Sequence, residues 1–209
     1  MADYSQPLLK FMEKLPQGEK VVLVGHSLGG INIAVAMEKF PEKISVAVFL
    51  TACMPDTVNP RSYVIQELYG RISPDAWLDT RFTTEPPAII SFGPEFMKQK
   101  LYQKSPPEDL ELAVMLTRPG PLFMDDPTSD NKFTAEAYGS VKRVFVVCGE
   151  DLTLLPEYQH WMIENYGGIT EVMDIPKADH MPMLSKPEEV VKCLLEAAGK
   201  PRMRAAIIR

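Results

Sequence analysis

Gly25-His26-Ser27-Leu28-Gly29 reads G-x-S-x-G, a pattern whose chemistry depends on its context. It directly follows the aliphatic run Val21-Val-Leu-Val24 and directly precedes a helical pattern beginning at Ile31. A sharp strand-to-helix turn there leaves the Ser27 hydroxyl standing at the carboxyl end of the strand, open to an electrophilic carbon. The glycines at 25 and 29 are expected to let strand and helix approach closely. The backbone N–H of Leu28, the residue after the nucleophile, is the expected donor to a developing oxyanion, aided by the helix N-terminus. The structural alternative is a small-residue turn with no chemistry.

A serine hydroxyl is a weak nucleophile without a base in hydrogen-bond reach, itself oriented by an acid. The chain has three histidines. His26 lies inside the elbow, where the backbone points it away from the hydroxyl, and His160 lies mid-helix beside Trp161. His180, in Ala178-Asp-His-Met181 after the last strand pattern, is therefore the candidate base. For the acid, Asp151 follows a strand pattern in Cys148-Gly-Glu-Asp151. Its neighbour Glu150 points elsewhere, Asp174 lies within a strand facing outward, and Asp179 is expected to be a solvated loop residue. The order Ser27, Asp151, His180 is that of the α/β-hydrolase fold.

Such a triad must be carried on the ends of parallel strands. Four runs fit: Val21 to Val24, Ser45 to Thr51, Arg143 to Cys148 and Thr170 to Ile175. Helical periods cover Asp3 to Leu15, with Pro7 in the first turn, then Ile31 to Phe40, and Pro156 to Tyr166 closed by Gly167-Gly168. A last helix follows Ser185-Lys-Pro-Glu188, a capping-box spacing. Between Met54 and Tyr138 the period breaks down. Eleven of the 19 prolines fall from Pro55 to Pro127, including Pro86-Pro87 and Pro106-Pro107. Short helices joined by stiff turns, packed over one end of the sheet, are expected there. The reading is one α/β domain over residues 1–199 with a cap insertion at about 56–138, followed by a basic tail, 200–209.

The 209 residues carry a net charge of −6, which argues against nucleic acid or an anionic membrane as partner. The longest charge-free apolar stretch, Ile44 to Pro55, is shorter than the ~18 residues of a membrane span, and the first residues show no secretory signal pattern. Three scattered cysteines, Cys53, Cys148 and Cys193, fit neither a disulfide framework nor a metal site. No cofactor or metal is expected, and a cytoplasmic protein is.

Several stretches resemble the plant methylesterase family, to which hydroxynitrile lyases are related. They are Glu19 to Gly30, Ala47-Val-Phe-Leu50, Met54-Pro-Asp56, Trp77-Leu-Asp-Thr80, Ser140-Val-Lys-Arg-Val144, Cys148-Gly-Glu-Asp151 and Ala178-Asp-His-Met181. The resemblance runs from about Tyr4 to Ala198. It implies an α/β-hydrolase fold and hydrolysis of methyl esters of small hormone acids such as salicylate, jasmonate and indole-acetate, with Ser27, Asp151 and His180 as the triad. It also implies a pocket lined by His26, Leu28, Trp77, Phe82, Tyr102, Leu122 and Met181. The lyases look different at decisive places, with a lysine where this chain has Met181, and a thioether cannot hold a leaving cyanide as an ammonium does.

Against the family pattern, the first strands and the His-Gly-Ala loop that supplies a second oxyanion donor are expected to be missing, and the stretch Phe82 to Phe92 looks shorter. Val21 to Val24 would then be an apolar sheet edge, which invites association such as a homodimer. A missing donor lowers turnover by ~10²–10³. The expected partner is a small methyl ester or aromatic acid. A non-catalytic binder of aromatic acids, or a chain that does not fold alone, are the alternatives weighed.

Overall fold

A computed structural model of the chain describes residues 2–83, 88–123 and 131–199. The pair Pro86-Pro87 and the basic stretch 200–209 lie outside the described residues. The elements run α1 (Ala2–Lys14), β1 (Val21–Ser27), α2 (Gly29–Lys39) and β2 (Ile44–Ala52). The insertion follows with α3 (Tyr63–Arg71), β3 (Arg81–Thr83), β4 (Ile89–Ser91), α4 (Pro94–Phe96), α5 (Pro107–Leu116) and β5 (Gly120–Pro121). Then come β6 (Arg143–Cys148), α6 (Pro156–Tyr166), β7 (Ile169–Ile175), α7 (Pro182–Ser185) and α8 (Pro187–Ala197).

Strands β1, β2, β6 and β7 form a parallel sheet in that order. Their continuous apolar runs follow from burial on both faces. On β2 and β6, Ala47, Phe49, Phe145 and Val147 face one core shared with α1, α2 and α6. The alternate residues Val46, Val48, Leu50, Val144 and Val146 face a second core under α8, which contributes Val190, Cys193 and Ala197. That alternation is the period-2 geometry of a strand. Among the described residues β1 pairs only with β2, so the expected edge is present, and Val24 on it is 41% exposed.

Three expectations change. Pro7 sits in the second turn of α1, not the first. The insertion is not helices alone: β3, β4 and β5 form a small antiparallel sheet, whose strands of two or three residues are too short to show a period. The capping box before α8 does not form, because Lys186 is the N-cap and makes no side-chain cap bond. The Ser185 hydroxyl instead donates to Asp179 and to the Met181 carbonyl, ending the separate short helix α7.

Candidate active site

Ser27 ends β1 with φ +54°, a left-handed conformation that a non-glycine residue adopts only when its surroundings impose it. The glycines show what imposes it. A Cβ on Gly30 would lie 2.1 Å from the Cys53 carbonyl oxygen, and one on Gly25 would lie 2.8 Å from the Gly29 carbonyl oxygen. Gly25 and Gly30 are therefore the close-approach positions. Gly29 has nothing within 4 Å, which corrects the role expected for it. Leu28 is the N-cap of α2, and its carbonyl accepts the Ile31 N–H (3.1 Å), so the Leu28 N–H precedes the helical ladder, one residue after Ser27.

The candidate base and acid meet the serine across long sequence distances. His180 Nε2 is 3.0 Å from Ser27 Oγ, and His180 Nδ1 is 2.7 Å from Asp151 Oδ2. Asp151 is fully buried. Its Oδ1 accepts the N–H groups of Thr153 (2.7 Å) and Leu154 (2.8 Å), and its Oδ2 also accepts the Thr51 hydroxyl (2.5 Å). Four donors thus surround the two oxygens, which is what a buried carboxylate requires. Thr51, from the bulge at the end of β2, was not a sequence candidate. Its φ is +36°, unusual for a β-branched residue. The cue was there, since it closes a strand that pairs with the one ending beside Asp151.

The His26 ring engages the backbone of His180. Its Nε2–H donates to the His180 carbonyl (2.6 Å), an assignment fixed by the acceptor, since a carbonyl cannot donate. Burial, with the neighbouring His180 second, lowers its pKa from 6.5 to about 4, so the ring is neutral at physiological pH. Burial, with the Asp151 charge second, pushes the Cys53 thiol up to about 12 and removes it as a rival nucleophile. His160 and Asp174 are exposed, and Glu150 pairs with Lys104 at 2.5 Å.

Asp179 is not solvated. It is fully buried and accepts four hydrogen bonds. Its donors lie up to 75 residues away, where no local pattern reveals them.

A cavity of about 320 Å³ opens over Ser27 and His180. Of the expected wall residues, His26, Leu28, Trp77, Tyr102 and Met181 line it. Phe82 and Leu122 do not. Phe82 stands edge-on behind Trp77 (ring centroids 5.0 Å) and Tyr69 (6.3 Å), half in solvent. Leu122 turns into a buried cluster with Ala88 and Ile90. Their places in the wall are taken by Tyr69, Ile90, Phe92, Met97 and Leu101, so the chamber is mainly apolar. Trp77 stacks on Phe96 at 5.3 Å and Phe96 on Phe92 at 5.3 Å, a rigid aromatic backing. A second hollow of about 310 Å³ shares His26, Leu28, Gly29, Ile90 and Phe92 and adds Asn32 and Arg118. Among the described residues no group of His, Cys, Asp or Glu is placed to hold a metal ion, and no helix is long and apolar enough to cross a membrane.

The family model described as "Alpha/beta hydrolase family" matches residues 2–192. Methylesterase 3 of Arabidopsis thaliana is 53% identical over 201 residues, which cover 94% of this chain and 76% of that protein. Salicylic acid-binding protein 2 of Nicotiana tabacum is 49% identical, over 95% of this chain and 78% of that protein. The crystal structure of polyneuridine aldehyde esterase superposes with a TM-score of 0.89 at 46% identity, over 94% of this chain and 78% of that one. With a seryl–histidyl–aspartyl constellation on one rim of a parallel sheet and relatives of this likeness over most of its length, the chain belongs to the plant methylesterase family of α/β hydrolases.

Proposed function

We propose that the protein is a serine carboxylesterase that hydrolyses methyl esters of small apolar acids, salicylate-, jasmonate- or indole-acetate-sized, through an acyl-Ser27 intermediate. The observation that carries this reading is the unbroken chain Ser27 Oγ–His180 Nε2 (3.0 Å) and His180 Nδ1–Asp151 Oδ2 (2.7 Å) at the floor of an apolar chamber. In acylation His180 Nε2 takes the Ser27 proton as Oγ attacks the ester carbon. The oxyanion forms against the Leu28 N–H, and the imidazolium returns its proton to the methoxy oxygen, releasing methanol. Water then repeats the sequence on the acyl-serine and releases the acid. Asp151 holds the imidazole in the tautomer with hydrogen on Nδ1 and stabilises its cationic form.

The volume, about 320 Å³, is at the small end of ligand pockets and suits small, mainly apolar acids. The names of the relatives described above agree: one is a methylesterase, and one, by its name, binds salicylic acid. Met181 beside the base offers no charge to a cyanide leaving group, which favours ester hydrolysis over lyase chemistry.

The test is release of acid from methyl salicylate and of p-nitrophenol from p-nitrophenyl acetate by the purified chain, alongside Ser27→Ala and His180→Ala. Turnover that both substitutions abolish is the expected result. Turnover unaffected by Ser27→Ala refutes the mechanism. No turnover, with salicylate binding retained in Ser27→Ala, replaces it with a non-catalytic acid binder.

A further inference from the structure

Two fully buried carboxylates flank His180, and the triad accounts for only one of them. The other, Asp179, precedes the histidine directly in the chain. Its Oδ1 accepts the Met181 N–H (2.9 Å) and the Ser185 hydroxyl (2.7 Å), both on the histidine's own loop and the short helix after it. Its Oδ2 accepts the Lys104 N–H (2.8 Å) and the Ser105 hydroxyl (3.0 Å), both from the insertion. One carboxylate therefore ties two segments together, one oxygen to each.

The inserted segment is the one that shapes the chamber. Met97–Leu101 is a π-helical turn, closed by Tyr102 N–H to the Met97 carbonyl (2.9 Å), and Met97, Leu101 and Tyr102 line the cavity. Single π-turns recur where a helix must re-aim side chains at a site. Its far end is also fastened to the acid loop, where Gln103 Nε2 donates to the Glu150 carbonyl (2.6 Å) and the Thr153 hydroxyl donates to the Lys100 carbonyl (3.0 Å). On the other side of His180, the His26 ring holds the histidine's carbonyl. The histidine backbone is thus fixed by two grips, and the grip from Asp179 depends on where residues 104 and 105 sit.

We infer that Asp179 is a positioning residue that couples the cap wall at Leu101–Tyr102 to the placement of the His180 ring, so that the wall closing on an acyl group and the base aligning on Ser27 are one event. The inference rests on the reading of His180 as the general base. A carboxylate serving only as a strut would give stability without linking wall to base.

The two outcomes separate in Ser105→Ala, which removes one donor on the cap side from a partly exposed turn and leaves the histidine loop untouched. Three measurements are made: steady-state kinetics (kcat and KM) for p-nitrophenyl acetate and for a bulkier p-nitrophenyl arylacetate, the thermal midpoint, and the downfield proton resonance of His180 Nδ1–H, which needs no turnover. Loss of a hydrogen bond to a charged acceptor, partly transmitted, should lower kcat for both esters by about three- to tenfold. KM should rise for the bulky ester only. The Nδ1–H resonance should shift or broaden, and Ser105→Thr, which keeps the hydroxyl, should restore all three. Ser185→Ala, acting from the opposite oxygen, should combine with Ser105→Ala non-additively in kcat. An unmoved resonance and unchanged kcat in Ser105→Ala, whatever happens to the midpoint, overturn the coupling. If the wild-type chain has no esterase activity, the proposed function fails first, and the resonance still decides this inference.

Discussion

Thr51 sets two sizeable terms against each other, and substitution there should separate them. Its hydroxyl donates at 2.5 Å to Asp151, a fully buried carboxylate, and its backbone is held at φ +36°. A hydrogen bond to a charged acceptor contributes about 1.5–3 kcal/mol. A β-branched residue in the left-handed region stores about 1–3 kcal/mol of strain. Thr51→Val keeps the strain and loses the bond, so it should cost about 1.5–3 kcal/mol. For a chain of this size that is a drop of about 3–12 °C in the melting midpoint. Thr51→Ser keeps the hydroxyl and gives up one buried methyl, about 0.8 kcal/mol, partly offset by relief of the branch, so it should be more stable than the valine variant. Thermal and urea unfolding followed by circular dichroism give the ranking directly. A serine variant no more stable than the valine one, or a valine variant as stable as the wild type, refutes the account of this residue.

His26 gives a pH prediction. Its pKa in the folded chain is about 4 against 6.5 when unfolded, so between those values the unfolded chain binds the extra proton. Its contribution is therefore fully present above pH 6.5 and is lost as the pH falls toward 4, by up to roughly 3 kcal/mol. His26→Gln keeps an amide donor for the His180 carbonyl but does not titrate, so urea midpoints should fall less steeply over that interval; parallel slopes would contradict the assignment. Among the glycines, Gly30→Ala drives a methyl to 2.1 Å from the Cys53 carbonyl and should give no soluble folded protein, whereas Gly29→Ala meets nothing within 4 Å and should melt within about 2–4 °C of the wild type. Equal tolerance at both positions would mean that the close approach of α2 to the residue after β2 is not what constrains the turn.

The sequence alone determined what neighbouring residues decide together. Buried strands announce themselves by runs such as Arg143-Val-Phe-Val-Val-Cys148, and β6 and α6 have the bounds read from pattern and punctuation. The elbow at Ser27 is a five-residue motif, and its context fixed the rim on which a base and an acid had to be sought. Elimination among three histidines then left His180, which the structure brings to 3.0 Å from the hydroxyl.

What tertiary structure decided is where one side chain finds a partner far along the chain. Asp179 looks like a polar loop residue until residues 104 and 105 arrive, and Ser185 looks like a helix cap until Asp179 takes its hydroxyl. The motif points to Gly29 and leaves out its neighbour Gly30, yet it is Gly30 that the carbonyl of Cys53 closes on. Phe82 and Leu122 have the right chemistry for a pocket wall, yet Tyr69, Ile90 and Phe92 occupy it, because strands of two or three residues in the insertion carry too little periodicity to reveal their inward face. Hydrophobic period is a property of a dozen consecutive residues, whereas the fate of a buried carboxylate depends on donors a hundred positions away.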